Sequence, residues 1–239
     1  MRQKNEREAD VRIREVENPQ SLQEMRGASF IFGLCLLLAM VLPSVASTPA
    51  ESHESRAAGH ITALLPEDQV LREKRTLAAA KDMVLLWRDV VKTEKGGRVR
   101  IELSDGSILN VGSDAQLRIL KSDPQRQQTT LELLYGRLLA SAIRIVKPTG
   151  KFRVRTPVAV AGVVGTQFGL RVDSESTDVV CREGSVLVNN RDENVVGEVV
   201  LQAGEFTHVE RGKPPSPPAP ASPERLQAGD DATSIPNSP

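Results

Sequence analysis

Aromatic residues are scarce in this sequence: one Trp, one Tyr and five Phe, 3% of 239 positions. A core built from it is aliphatic, and no stacking platform for nucleic-acid bases is available. Net charge is missing as well. Lys and Arg total 31, Asp and Glu total 31, so the overall field points to neither nucleic acid nor a membrane surface. There are two cysteines, Cys35 and Cys181. Cys35 lies in an apolar N-terminal run, which leaves Cys181 alone downstream. No disulfide within a domain and no CxxC metal motif follow from that. Between Val179-Val180 and Arg182, Cys181 reads as a small strand residue, with a reactive thiol or an intermolecular bridge as the alternatives. Histidines number three. His53 and His60, with Glu51 and Glu54 nearby, lie in a polar tract that offers a metal no fixed geometry. His208 has no nucleophile motif beside it. The reading is a non-enzyme with no catalytic, cofactor or metal set.

Long apolar runs are also absent, with one exception. Residues 1–26 are polar with mixed charges, and residues 27–46 (GASFIFGLCLLLAMVLPSVA) are uncharged. The unbroken apolar heart, residues 30–42, is about 13 residues, short for a spanning helix and suited to a signal-peptide core. Pro43 breaks the helix, and Ser44-Val45-Ala46 presents small residues for cleavage before Ser47. Met25-Arg26 would open an ordinary-length leader, so residues 1–24 are either an extended n-region or lie upstream of the true start. An uncleaved anchor is the alternative to a leader. Export to the periplasm or medium, or anchoring in the inner membrane, is the expected location. A membrane contact is expected only through residues 27–46, if uncleaved. Further divisions follow from composition: a polar linker at 47–65; a helix at 66–83, with Pro66 near its start and Glu67 and Asp68 in its first turn; a β domain at 84–210; and a disordered Pro-rich tail at 211–239, with eight prolines in its 29 residues.

The β domain is organised around residues 151–172, KFRVRTPVAVAGVVGTQFGLRV. Phe152 and Val154 alternate with Lys151, Arg153 and Arg155, the period of a half-buried strand. Thr156-Pro157 interrupts the ladder. Residues 158–164 are Val, Ala and Gly only, which reads as a strand buried on both faces. Gly165-Thr166 turns the chain, and Phe168, Leu170 and Val172 resume alternation. Elsewhere Val99, Ile101 and Leu103 alternate with charged residues. Asp105-Gly106 signals a hairpin, and Leu131–Leu134 and Leu138–Ile145 read as two strands about Gly136. Trp87 reads as a core plug. About a dozen short strands at intervals of 8–12 residues make the fold class mainly β, one domain, either a sandwich or an irregular solenoid-like stack. The turn glycines have no fixed period, which argues against identical rungs.

Several motifs carry a resemblance in the same order. Residues 157–168 hold an apolar run and then Gly162, Gly165, Thr166 and Phe168. Asp105-Gly106-Ser107 precedes Ile108-Leu109. LELLYGRLL spans 131–139, Glu183-Gly184-Ser185-Val186 follows, and Leu201-Gln202-Ala203-Gly204-Glu205 closes the series. Together they resemble the FecR domain family over roughly residues 90–209. The resemblance implies an extracytoplasmic β domain, of a kind whose best-known members regulate sigma factors from the periplasmic side.

Chemistry has few candidates. Asp105 and Glu183 each precede Gly-Ser; paired hydrolase carboxylates is one reading, turn geometry the other. Gly162, Gly165 and Gly169 lack the Lys-Ser/Thr ending and following helix of a phosphate loop. One electrostatic feature stands out: Arg137, Arg144, Lys147, Lys151, Arg153 and Arg155 occur with no acid between them. Lys151, Arg153 and Arg155 share a strand face at steps of about 6.5–7 Å. Arg144, Lys147, Lys151, Arg153 and Arg155 are the candidate binding face, for an acidic protein surface or an anionic envelope polymer. The leading expectation is an exported, non-enzymatic interaction module. A single-pass signal transducer or sigma-factor regulator is the alternative.

Overall fold

A computed structural model describes residues 57–65, 68–226 and 235. The expectations for residues 1–46, for Cys35 and His53, and for most of the last thirteen residues lie outside that range. Among the described residues no helix is long and apolar enough to cross a membrane.

Among the described residues seventeen strands form one hydrogen-bonded system, so the mainly-β expectation holds. The strands are β1 (Ala57–Leu64), β2 (Gln69–Arg72), β3 (Arg75–Ala78), β4 (Val84–Leu86), β5 (Val90–Thr93), β6 (Val99–Leu103), β7 (Ile108–Val111), β8 (Ala115–Asp123) and β9 (Gln128–Ser141). They continue as β10 (Lys151–Arg155), β11 (Ala159–Val163), β12 (Gln167–Val172), β13 (Ser176–Glu183), β14 (Ser185–Asn190), β15 (Glu198–Gln202), β16 (Glu205–Glu210) and β17 (Ala219–Pro220). Pairing separates them into two nine-stranded sheets that share β9. Sheet 1 runs β4-β1-β6-β7-β9-β12-β13-β16-β17. Sheet 2 runs β3-β2-β5-β8-β9-β10-β11-β14-β15. Their buried faces contribute to a single aliphatic core that includes Ile61, Ile101, Leu117, Leu131, Val154, Phe168 and Val186.

β9 joins the sheets because of Gly136. Residues 128–135 pair with β8 in sheet 2, and residues 138–141 pair with β7 in sheet 1. Gly136 stands between them at φ 95°, and a Cβ there would lie 2.3 Å from the Ala115 side chain. Only glycine meets both demands. The two strands expected about Gly136 are thus one strand that changes sheet. The connection from β9 to β10 returns the chain in parallel, whereas every other pair is antiparallel. The layout is a two-layer stack without repeating rungs.

Three boundaries differ from expectation. The helix at 66–83 is instead the β2–β3 hairpin. Its residues favour helix, but pairing of β2 with β5 buries Val70 completely, and tertiary burial outweighs propensity. The hairpin is clamped by Arg72, which donates through Nε to Asp89 Oδ1 at 3.0 Å and through Nη2 to Oδ2 at 2.7 Å. The linker at 47–65 contains β1, which lies between β4 and β6. The tail expected to be disordered from Arg211 keeps going against the domain. Ser216 N donates to His208 O at 2.9 Å, Thr207 Oγ1 donates to Ser216 O at 2.7 Å, and one helical turn follows at 223–226.

The central stretch forms three strands, β10 to β12, as its pattern predicts. Its middle segment is not buried on both sides, however. Ala159, Ala161 and Val163 face the core, Val160 is half-buried, and Val164 at the corner is 66% exposed. Trp87 is also only partly buried, its Nε1 donating to Ser122 O at 2.9 Å.

Candidate functional site

β10 is an inner strand of sheet 2, flanked by β9 and β11. Phe152 and Val154 fill the core, so Lys151, Arg153 and Arg155 must point outward, and all three are exposed. Cross-strand partners in a ladder share a face, and two rows can be followed across the sheet. One runs Arg118, Glu132, Arg155, Val160, Asn189, Glu198; the other runs Lys121, Thr130, Arg153, Gly162, Leu187, Val200. Glu132 is the acid beside Arg155 on this face, Glu198 lying at its far edge, and Glu132 is already engaged. Arg118 and Arg191 each reach one of its carboxylate oxygens at 3.1 Å. Among the described residues Lys151, Arg153 and Arg155 form no ion pair.

Arg144 and Lys147 sit in the exposed connection between β9 and β10. Arg144 packs its backbone against the Gly165 corner. Lys147 lies over the turn before β9, its backbone N–H donating to Gln127 Oε1 at 2.9 Å and its ammonium contacting Gln125 O. The fold therefore gathers the five basic candidates at β10 and the loop that leads into it. It also adds what the charge pattern did not reveal. Toward β15 the same face is apolar: Leu187 is 38% and Val200 50% exposed. Among the described residues β15 pairs only with β14, at the edge of sheet 2.

The residues that carry the family motifs do structural work. Phe168 is fully buried and meets Phe152 edge-to-face with ring centres 6.3 Å apart. Thr166 Oγ1 donates to Ser185 O at 2.9 Å. Gly162 faces outward in β11 beside Leu187, and Gly165 forms the β11–β12 corner. Asp105 accepts from Ser107 N–H at 2.8 Å and from Thr129 Oγ1 at 2.9 Å, which closes the β6–β7 hairpin around Gly106. Glu183-Gly184, similar in sequence, makes no hairpin; it passes the chain from sheet 1 to sheet 2. Asp105 and Glu183 occupy separate turns, and Asp105 is engaged within its own.

His208 bridges two acids, with Nδ1 2.7 Å from Asp178 Oδ1 and Nε2 3.6 Å from Glu210 Oε1. Cys181 is fully buried; removal from water, with Glu205 adding to it, pushes its thiol up to about 11. Among the described residues no three His, Cys, Asp or Glu side chains come together as a metal site.

Comparison with known proteins agrees with the motif order. No curated protein matches the chain. Two crystal structures, at 1.65 and 2.50 Å, of a protein described as a putative anti-sigma factor from Parabacteroides distasonis ATCC 8503 are similar at 18% identity and a TM-score of 0.49. The similarity covers 58% of this chain and 63% and 62% of theirs, so the chain spans less than two thirds of their length. Residues 89–187, a span that holds the Gly162–Phe168, Asp105-Gly106 and Glu183-Gly184 motifs, match the family model described as FecR protein.

Proposed function

We propose that this chain is a signal-transduction regulator whose FecR domain acts as a non-enzymatic docking module for a protein partner. The observation that carries the reading is the composition of the outer face of sheet 2. Three unpaired cations, Lys151, Arg153 and Arg155, adjoin exposed Leu187 and Val200. A cationic rim beside an apolar patch suits an acidic protein surface. An anionic polymer would use the charges and leave the apolar side chains without a role. Residues 27–46 export the domain or hold it at the membrane, so the docking takes place on the outer side of the inner membrane.

The test compares transcripts of cells that carry the chain, lack it, or carry the Lys151→Glu, Arg153→Glu, Arg155→Glu variant at equal abundance. A defined gene set that responds to deletion and responds likewise to the variant supports the reading. An unchanged transcriptome on deletion rules out regulation. Retention on peptidoglycan or lipopolysaccharide that the triple variant loses, but that a Leu187→Ser, Val200→Ser variant keeps, assigns the face to a polymer instead. The mass of the mature N-terminus, measured on fractionated cells, tests the location. A start at Ser47 in the soluble envelope fraction means a cleaved leader, and an intact terminus in the inner membrane means an anchor.

A further inference from the structure

On the opposite sheet, Arg137 of β9 and Arg171 of β12 are direct cross-strand partners. Paired Cα atoms in an antiparallel ladder lie about 4.5–5.5 Å apart, and like charges at such positions repel. Among the described residues no acid lies within ion-pair distance of either one. Asp178 is the partner of Arg171 on its other side, but its carboxylate is held by His208 Nδ1 at 2.7 Å and faces Arg225 at 3.6 Å. Asp173, two residues along from Arg171, accepts from Glu175 N–H at 2.8 Å and Ser176 N–H at 2.6 Å in its own turn, and these bonds, with a smaller contribution from the Arg171 charge, hold its carboxyl below the usual range. Asp114 and Asp173 line, with both arginines, a neighbouring cleft.

The two arginines border a cleft of about 210 Å³. Gly169 and Val180 contribute to its lining, and a Cβ on Gly169 would come 3.0 Å from Val180 Cγ1. Phe206 forms a wall. Arg225, from the helical turn at 223–226, lies over the Phe206 ring at 4.1 Å. Three guanidinium groups thus surround a small cleft with one carboxylate, itself engaged, and one side of the cleft is apolar.

We infer that this cleft is a binding site for an organic carboxylate, held between Arg137 and Arg171 with its carbon body against Phe206 and Val180. Guanidinium pairs fit a carboxylate bidentately, and bound negative charge would remove the repulsion that the empty pair carries. The apolar wall favours an organic acid over a bare inorganic anion, and the size suits one amino-acid-sized group. A free acid and the acidic residue of a peptide present the same chemistry. The inference does not rest on the proposed function, because it uses the other sheet.

The test is an NMR titration of the full chain, read at the arginine Nε–Hε signals, at constant ionic strength. The probes are glutarate, its neutral diamide, inorganic phosphate and a glutamate-terminated tripeptide. Saturable shifts with glutarate or the tripeptide, but not with the diamide, are expected. Arg171→Gln should weaken binding at least tenfold, Arg171→Lys should weaken it less, and the sheet 2 triple-Glu variant should bind as the parent does. A response to the tripeptide at concentrations where glutarate gives none assigns the carboxylate to a peptide. Equal responses to glutarate and diamide, no response to any acid, or unchanged binding in Arg171→Gln would overturn the inference. Phosphate binding as tightly as glutarate would overturn its organic-acid element. Loss of binding in the triple-Glu variant would place the ligand on the other face and overturn it too.

Discussion

Cys181 shows how one side chain reports the state of the core. Its Sγ sits 3.4 Å from Gly184 O, and its environment favours the neutral thiol. A thiol that ionises near 9.0 when free and near 11 in the fold leaves the unfolded chain with fewer bound protons between those values. Stability is therefore lost as pH rises through that window and is fully present below it. Cys181→Ala should flatten this alkaline decline, measured as Tm between pH 8 and 11. In the native protein the thiol should also resist alkylation at pH 8, reacting only after denaturation. The sequence already indicated a small strand residue here. It gave no sign that Arg137 and Arg171 meet, since 33 positions separate them and only the β9–β12 pairing makes them neighbours.

Among the elements, the corner between β11 and β12 is tightly constrained. Gly165 has φ 79°, and a Cβ there would lie 2.7 Å from the Arg144 Cα. The loop bearing Arg144 is therefore held against the corner by the absence of a side chain. Gly165→Ala should cost about 1–3 kcal/mol, seen as a lower denaturation midpoint in urea, with the Arg144 loop becoming more open to proteolysis. The strands β6, β10 and β12 were legible because alternation with period two survives in any half-buried strand. The β2–β3 hairpin was not. Its residues suit a helix, Glu73 turns at φ 54° without glycine, and the pairing that overrides propensity is supplied by β5, eighteen residues further on.

For the whole molecule, the two outer faces differ in what they offer: sheet 2 presents a cationic and apolar surface, sheet 1 a small cleft bordered by arginines. Sheet 1 also includes strands outside the span that composition marked as the domain. β1 fills the place between β4 and β6, and the segment after Arg211 caps β16. A chain begun at Val84 would leave the partners of β1 unpaired and expose part of the core around Ile101 and Leu103. It should show no cooperative thermal transition, whereas a chain spanning 57–226 should unfold in one step, as calorimetry would show.

The sequence by itself determined the motif order that resembles the FecR family, the β class, the three-strand centre and the outward direction of Lys151, Arg153 and Arg155. Each follows from local periodicity or from motifs a few residues long. Tertiary structure alone decided which strands share a sheet, that β9 bends from one sheet to the other at Gly136, and that β1 and the tail belong to the domain. It also divided one acid-free basic run, sending Arg137 to sheet 1, Lys151, Arg153 and Arg155 to sheet 2, and Arg144 and Lys147 to the connection between β9 and β10. Such outcomes depend on pairing between distant segments, and no short stretch of chain encodes its partner's position.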